Sequence, residues 1–280
     1  MKISRRRLFT LLGVSGVGAV LYSRFGESHW LGIGRHTVRL ASRSIPKPIR
    51  ILQLSDLHAS RVVSLEFIAK AVRLGLACEP DLILLTGDFI TGKFDQFKEY
   101  AEILATLPKA APSFACLGNH DGGRWAEPRN GYADTARVRQ LLMDSGIRLL
   151  HNCAIQTRLK ETNFQLVGLG DLWAGEITPK AAFQAGRPDQ NTATVVLSHN
   201  PDTKEDLRTY DWDVMFCGHT HGGQSYLPLI GTPFAPVQDK RFVKGLHAWE
   251  GRWIHITKGV GNLLGVRFNC RPEISVITLA

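Results

Sequence analysis

Five apolar runs in this 280-residue chain end on Asp, Asn or His, most of them beside glycine. Ile49 to Leu54 runs into Ser55-Asp56-Leu57-His58, and Asp81 to Thr86 into Gly87-Asp88. Ser113 to Leu117 leads to Gly118-Asn119-His120-Asp121, and Ala193 to Leu197 to Ser198-His199-Asn200-Pro201. Asp213 to Cys217 leads to Gly218-His219-Thr220-His221-Gly222-Gly223-Gln224. Short runs of this kind read as buried strands. Helical spacing over Leu65 to Leu76 and over Phe94 to Leu107, the latter closed by Pro108, separates the first three. The βαβαβ opening predicts an α/β chain with a mainly parallel sheet and helices on its faces. Ligands of such sheets bind beyond the carboxyl ends of the strands, where the polar residues fall.

Singly, each ending is ordinary: an Asp after a strand is usually a turn residue, and a lone His a solvated one. Together they are not, because turn chemistry does not select for histidine. Later segments add a helix over Thr135 to Ser145 with Gly146 as its C-cap. Ala154 to Arg158 and Phe164 to Leu169 read as a hairpin around Glu161-Thr162-Asn163. Trp253 to Thr257 and Ile274 to Leu279 read as late strands. Gly222 and Gly223 are expected to leave room for a phosphate group.

The net charge of +9 is concentrated rather than spread. Residues 1–50 hold ten basic side chains and one acidic, whereas the remaining 230 hold 24 of each. A neutral body argues against long nucleic acids as partners. The basic excess falls on a leader. Ser4-Arg5-Arg6-Arg7-Leu8-Phe9 opens an uncharged stretch to Leu21, resembling a twin-arginine signal. It is too short for a comfortable transmembrane helix. We therefore expect residues 1–24 to be a twin-arginine-like signal or membrane anchor and residues 25–48 a connector or edge strand, with the main folded domain over 49–280. A membrane surface and the twin-arginine export machinery are the expected partners of the N-terminus. Inner-membrane association follows, on the periplasmic side if the leader functions and on the cytoplasmic face otherwise. Five cysteines without a CxxC pair argue against a disulfide framework or structural zinc.

Asp56, His58, Asp88, Asn119, His199, His219 and His221 offer mixed oxygen and nitrogen donors without cysteine, a set suited to two catalytic divalent ions such as Mn, Fe or Zn. His120 is left over. Asp56-x-His58, Gly87-Asp88, Gly118-Asn119-His120-Asp121, His199 and Gly218-His219-x-His221 resemble, in order, the signature of the calcineurin-like metallophosphoesterases. Ser198-His199-Asn200-Pro201-Asp202 and the tail Lys258-Gly259-Val260-Gly261 with Arg267 and Pro272-Glu273-Ile274 resemble its YaeI-type phosphodiesterase branch.

That resemblance implies a four-layer β-sandwich flanked by helices, with the metal site at strand carboxyl ends. It assigns Asp56, His58 and His221 to one ion and Asn119, His199 and His219 to the other, with Asp88 bridging. It makes His120 the catalytic residue acting on the leaving-group oxygen, with Asp121 orienting it, and implies in-line attack by a metal-bridging hydroxide. Many relatives place a second Asp shortly after Gly-Asp to orient that histidine; here Phe89-Ile90-Thr91 supplies none, which favours substrates with good leaving groups. Arg124 and Trp125, with Arg129, follow the third block; contact with a phosphate or base and a solvated loop are equal readings of them. The expected substrate is a phosphodiester or a nucleotide-lipid pyrophosphate such as UDP-2,3-diacylglucosamine. A general exported phosphodiesterase, a nucleotide hydrolase and a non-catalytic metal-binding scaffold are the alternatives.

Overall fold

The computed structural model describes residues 17–40, 43, 45–184 and 189–280. Residues 1–16, which carry Arg5-Arg6-Arg7, lie outside them. The described strands are β1 (Gly32–Val38), β2 (Ile49–Leu54), β3 (Leu82–Thr86), β4 (Ser113–Cys116), β5 (Arg148–Leu149), β6 (Cys153–Leu159), β7 (Thr162–Gly168), β8 (Ala193–Leu197), β9 (Val214–Cys217), β10 (Gly245–Trp249), β11 (Arg252–Ile256) and β12 (Glu273–Leu279). They form two six-stranded sheets, ordered β1-β12-β2-β3-β4-β5 and β10-β11-β9-β8-β7-β6.

Alternation along the strands builds the layers. Ile49 and Ile51 of β2, Leu82 and Leu84 of β3, and Phe114 and Cys116 of β4 face the second sheet. There they meet Leu166, Val195, Leu197, Val214 and Phe216. The intervening Leu52, Leu54, Ile83 and Leu85 face outward, against helices Leu65–Leu76, Phe97–Leu104 and Ala136–Asp144. On the far side of the second sheet, Val167, Val196, Met215 and Ile254 pack under Leu207, Trp212, Phe242 and Trp249. Both faces of each sheet are covered, so the central strands read as continuous apolar runs rather than alternating ones.

The sheets are more mixed than the βαβαβ opening predicts. β2 through β5 pair in parallel, but β12 enters antiparallel to β2, with β1 parallel to β12 at the edge. The second sheet is parallel from β7 to β11 and closed by antiparallel partners at both ends. In the first sheet β12 returns from distant sequence to lie beside β2, which local pattern does not specify, whereas the second sheet is closed at each end by a local hairpin. Pro108 does not stop its helix: helix Phe97–Leu104 ends first, and Pro108 lies inside the next turn, Thr106–Ala110. Near the start of a helix proline sacrifices no needed N–H. The hairpin turns one residue earlier than expected, with Lys160 in the left-handed region. Among the described residues no helix is long and apolar enough to cross a membrane.

Candidate metal centre

The carboxyl ends of the central strands β2, β3, β4, β8 and β9 converge at one end of the sandwich. Asp56, His58, Asp88, Asn119, His199, His219 and His221 are all buried there. One donor atom each from Asp56, His58 and His221 lies within 4.8 Å of the others, and Asp56, Asp88 and His199 form a second such group. Asp88 spans the two halves, with its Oδ2 3.5 Å from His58 Nε2 and 3.1 Å from His199 Nε2. Asp56 Oδ1 is 3.4 Å from His221 Nε2. His219 Nδ1 comes within 3.2 Å of His199 Nε2.

The backbone is bent to achieve this. Asp56, His58, Asp88, His219 and His221 all have φ between 49° and 69°. Left-handed backbone costs a non-glycine residue about 1 kcal/mol or more. Repetition of that cost at five donors marks the turns as shaped around the site. Glycines let the loops close on the carboxylates. A Cβ on Gly218 would lie 2.3 Å from Asp56 Oδ2, and one on Gly118 2.3 Å from Asp88 Oδ1.

Hydrogen bonds aim the imidazoles. His199 Nδ1 donates to the Thr86 carbonyl at 2.8 Å, which turns Nε2 toward Asp88. His58 Nδ1 is 2.6 Å from Thr91 Oγ1, which turns its Nε2 inward. Such outer contacts fix which ring nitrogen serves as ligand. Beneath them Gln53 joins the two sheets: its amide donates to Thr86 Oγ1 and the Cys217 carbonyl and accepts from His255 Nδ1.

Two observations show that the cluster fits cations. Asn119 Oδ1 and His219 Nε2 are buried without a protein partner, a costly state for a polar atom. The electrostatics also have the sign a cation would satisfy. Burial holds His219 and His221 well below the usual histidine range and His58 down at about 3. Those rings are therefore neutral, as ligands must be. Burial raises Asp88, but His199 and His120 outweigh it and hold its carboxyl well below the usual range. His199 is pushed up, against its own burial, by Asp88.

His120 sits at the rim, half-covered. Its backbone N–H donates to Asp88 Oδ1 at 2.8 Å, and its ring lies edge-on to His58 at 4.9 Å and to Trp125 at 4.5 Å. Asp121 does not orient it. The Asp121 carboxylate accepts the backbone N–H groups of Asp88, Phe89 and Gly118, stitching two loops together. Gly222 and Gly223 likewise leave no room for phosphate: a Cβ on either would strike Lys258 and Cys270, or Thr232. Their left-handed φ values of 61° and 80° are the reason for glycine. Arg124 is exposed, with its guanidinium against Gly175, while Trp125 lies beneath Arg129 at 4.1 Å.

Two residues, Trp173 and Asp171, escaped the sequence reading, and a third, Arg267, was read there only as part of the tail, with no role at the site. Trp173 stands edge-on to His219 at 4.2 Å and 5.9 Å from Trp125, so two indoles flank the site. Asp171, after β7, is buried with an unpartnered Oδ2; burial pushes it up to about 6 against the pull of His199. It is a sixth strand end, Leu169-Gly170-Asp171, with the same signal as the other five. Arg267 is wholly buried and donates to the backbone carbonyls of His221, Lys258 and Cys270, tying the late loop to the histidine turn.

Comparisons with known proteins agree with this geometry. Residues 49–223 match the family model described as calcineurin-like phosphoesterase. The chain is 44% identical to phosphodiesterase YaeI of Escherichia coli K12, over 99% of both chains. It is 29% identical to UDP-2,3-diacylglucosamine pyrophosphatase LpxG of Chlamydia trachomatis, over 82% of this chain and 83% of that one. A solved protein of Thermus thermophilus superposes with a TM-score of 0.48 at 14% identity, over 76% of this chain and 91% of that one. By its family match and its near full-length identity to a phosphodiesterase, the chain belongs to the calcineurin-like phosphoesterases and is a metal-dependent phosphoesterase.

Proposed function

We propose that the protein hydrolyses phosphodiester or pyrophosphate bonds at a two-ion centre held by Asp56, His58, Asp88, Asn119, His199, His219 and His221. The observation that carries this is the pair of orphaned donors, Asn119 Oδ1 and His219 Nε2, in a buried cluster of three further histidines and two carboxylates. Divalent ions in such a site supply phosphate charge neutralisation and a water of lowered pKa. Asp88 is the residue placed to serve both halves. His120 faces the centre from the rim, and burial pushes its ring below the usual histidine range. It is held by its own backbone N–H on Asp88, so it is suited to hydrogen-bond the leaving-group oxygen or a phosphate oxygen.

A lipid-linked nucleotide is the finer reading of the substrate. It is supported by the indoles of Trp125 and Trp173 beside His120 and His219, which offer flat apolar surfaces to a base. The printed activity of the chlamydial relative points the same way. A metal-replete preparation assayed on UDP-2,3-diacylglucosamine, bis-p-nitrophenyl phosphate and p-nitrophenyl phosphate tests both levels. Turnover of the diester above the monoester is expected. Inactivity on all three would overturn phosphoester hydrolysis, and activity on the model diester alone would overturn the lipid substrate.

A further inference from the structure

We propose that the tip Leu229-Ile230, with Phe234, Leu264 and Phe25, forms a docking rim that inserts into an anionic lipid bilayer beside the metal centre. These five side chains are 69–106% exposed. Hydrogen bonds hold their segments side by side. The Tyr226 N–H donates to the Phe268 carbonyl, Asn269 Nδ2 donates back to the Tyr226 carbonyl, and Arg24 Nη1 donates to the Leu264 carbonyl. Ser23 and Arg267 exchange two more, Ser23 Oγ donating to the Arg267 carbonyl and the Arg267 N–H to the Ser23 carbonyl. Three stretches distant in sequence thus make one surface, and contiguous apolar exposure of this kind marks an interaction site.

The tip is shaped as a projection. Leu227 and Gly231 exchange backbone hydrogen bonds at 2.8 Å in both directions, closing a tight loop over Pro228-Leu229-Ile230. Leu229 sits there at φ 70°. A branched apolar residue that is both strained and fully in water has nothing to recommend it to the isolated molecule.

The charge pattern selects a bilayer as occupant. Residues 17–31, 225–234 and 263–271 contain one acidic side chain, Glu27. It is turned inward, accepting the backbone N–H groups of Asn269 and Cys270. Cations stand at the margin: Arg24, Lys244 5.0 Å over the Tyr226 ring, and Arg271 4.2 Å over the exposed Trp30. Aromatic rings paired with cations around an apolar patch match a headgroup interface. In sequence, Arg5-Arg6-Arg7 and an uncharged stretch precede the first of these segments. The centre is tied to the same surface, because the His221 carbonyl accepts from Arg267 and from the Cys270 thiol. Docking through the rim therefore anchors the segment that ties down the ligand turn. This inference does not depend on the identity of the substrate.

The test uses the full chain with Cys78→Ser and Cys153→Ser, carrying one nitroxide at Leu229→Cys, Phe234→Cys or, as a control on an outward helix, Met143→Cys. Collision rates with oxygen and with a water-soluble nickel complex are read with and without vesicles of phosphatidylethanolamine and phosphatidylglycerol. Circular dichroism and metal content verify folding of each variant. The labels at 229 and 234 are expected to lose nickel contact and gain oxygen contact several-fold on adding vesicles, while 143 stays in water. Unchanged nickel contact at 229 and 234 on cosedimenting protein overturns the proposal. So does protection at 229 that grows with protein concentration before any lipid is added, which would assign the rim to a second copy of the chain.

Discussion

At the scale of single residues, Asp88 and His120 separate holding metal from assisting chemistry. Asp88→Asn keeps the shape but removes the charge that both halves of the centre face. Metal analysis of that variant is expected to show loss of at least one ion, with turnover down by about a thousandfold or more. His120→Ala is expected to retain the parent's metal content and lose about a hundredfold or more in kcat, most for substrates with poor leaving groups. Metal loss in that variant would place His120 among the ligands. The types and order of the candidate ligands were legible in the sequence, because each follows an apolar run. Their partners were not. Thr91 beneath His58 and the Thr86 carbonyl beneath His199 are chosen by where the strand ends meet. Asp121 shows the reverse error: its neighbour in sequence is His120, but its neighbours in space are backbone N–H groups.

At the scale of elements, the loops after the strands hold the centre, and glycine decides whether they can approach. Gly218→Ala is expected to cost about 3 kcal/mol or more, because its Cβ would overlap Ser55 and Asp56. Gly251→Ala provides the contrast. Unlike Gly218 it has a positive φ, at 79°, but its Cβ would meet open space, so only backbone strain of about 1 kcal/mol is expected. Denaturant titration of the two proteins measures the difference, and equal costs would show that crowding at Gly218 is relieved by movement. The central strands and the helix over Leu65–Leu76 follow from periodicity alone. The split helix at Pro108 and the short strands β5 and β10 do not. Two-residue β5 and half-exposed β10 carry too little apolar pattern to declare themselves, and their partners decide them.

At the scale of the whole molecule, the sandwich is pinned by a polar contact through its middle, where His255 meets Gln53. Burial holds His255 down at about 3, from an ordinary value of 6.5. The unfolded chain therefore takes up a proton near pH 6.5 while the folded protein resists until about pH 3. Between those limits the unfolded state binds more protons, so stability is full above the window and falls as pH drops through it. This group alone contributes a slope of about 1.4 kcal/mol per pH unit. Thermal unfolding of His255→Gln from pH 7 to 4, against the parent under the same chelating conditions, should show a shallower loss. Parallel curves would remove His255 from the account. Chelation itself is expected to lower the thermal midpoint, since ions bind the folded site and not the dispersed ligands.

The sequence by itself determined the α/β class, the strand ends and the set of oxygen and nitrogen donors. Those depend on local periodicity and on side-chain chemistry, which neighbours in the chain already express. Only the tertiary structure decided that β12 returns antiparallel beside β2 with β1 outside it, that Asp121 ties loops together, and that Lys258 and Cys270 close on Gly222. It alone brought Trp173, Asp171 and Arg267 to the centre and assembled three distant apolar segments into one rim. Each of these is a meeting of residues far apart in the chain, set by how two covered sheets close on one another.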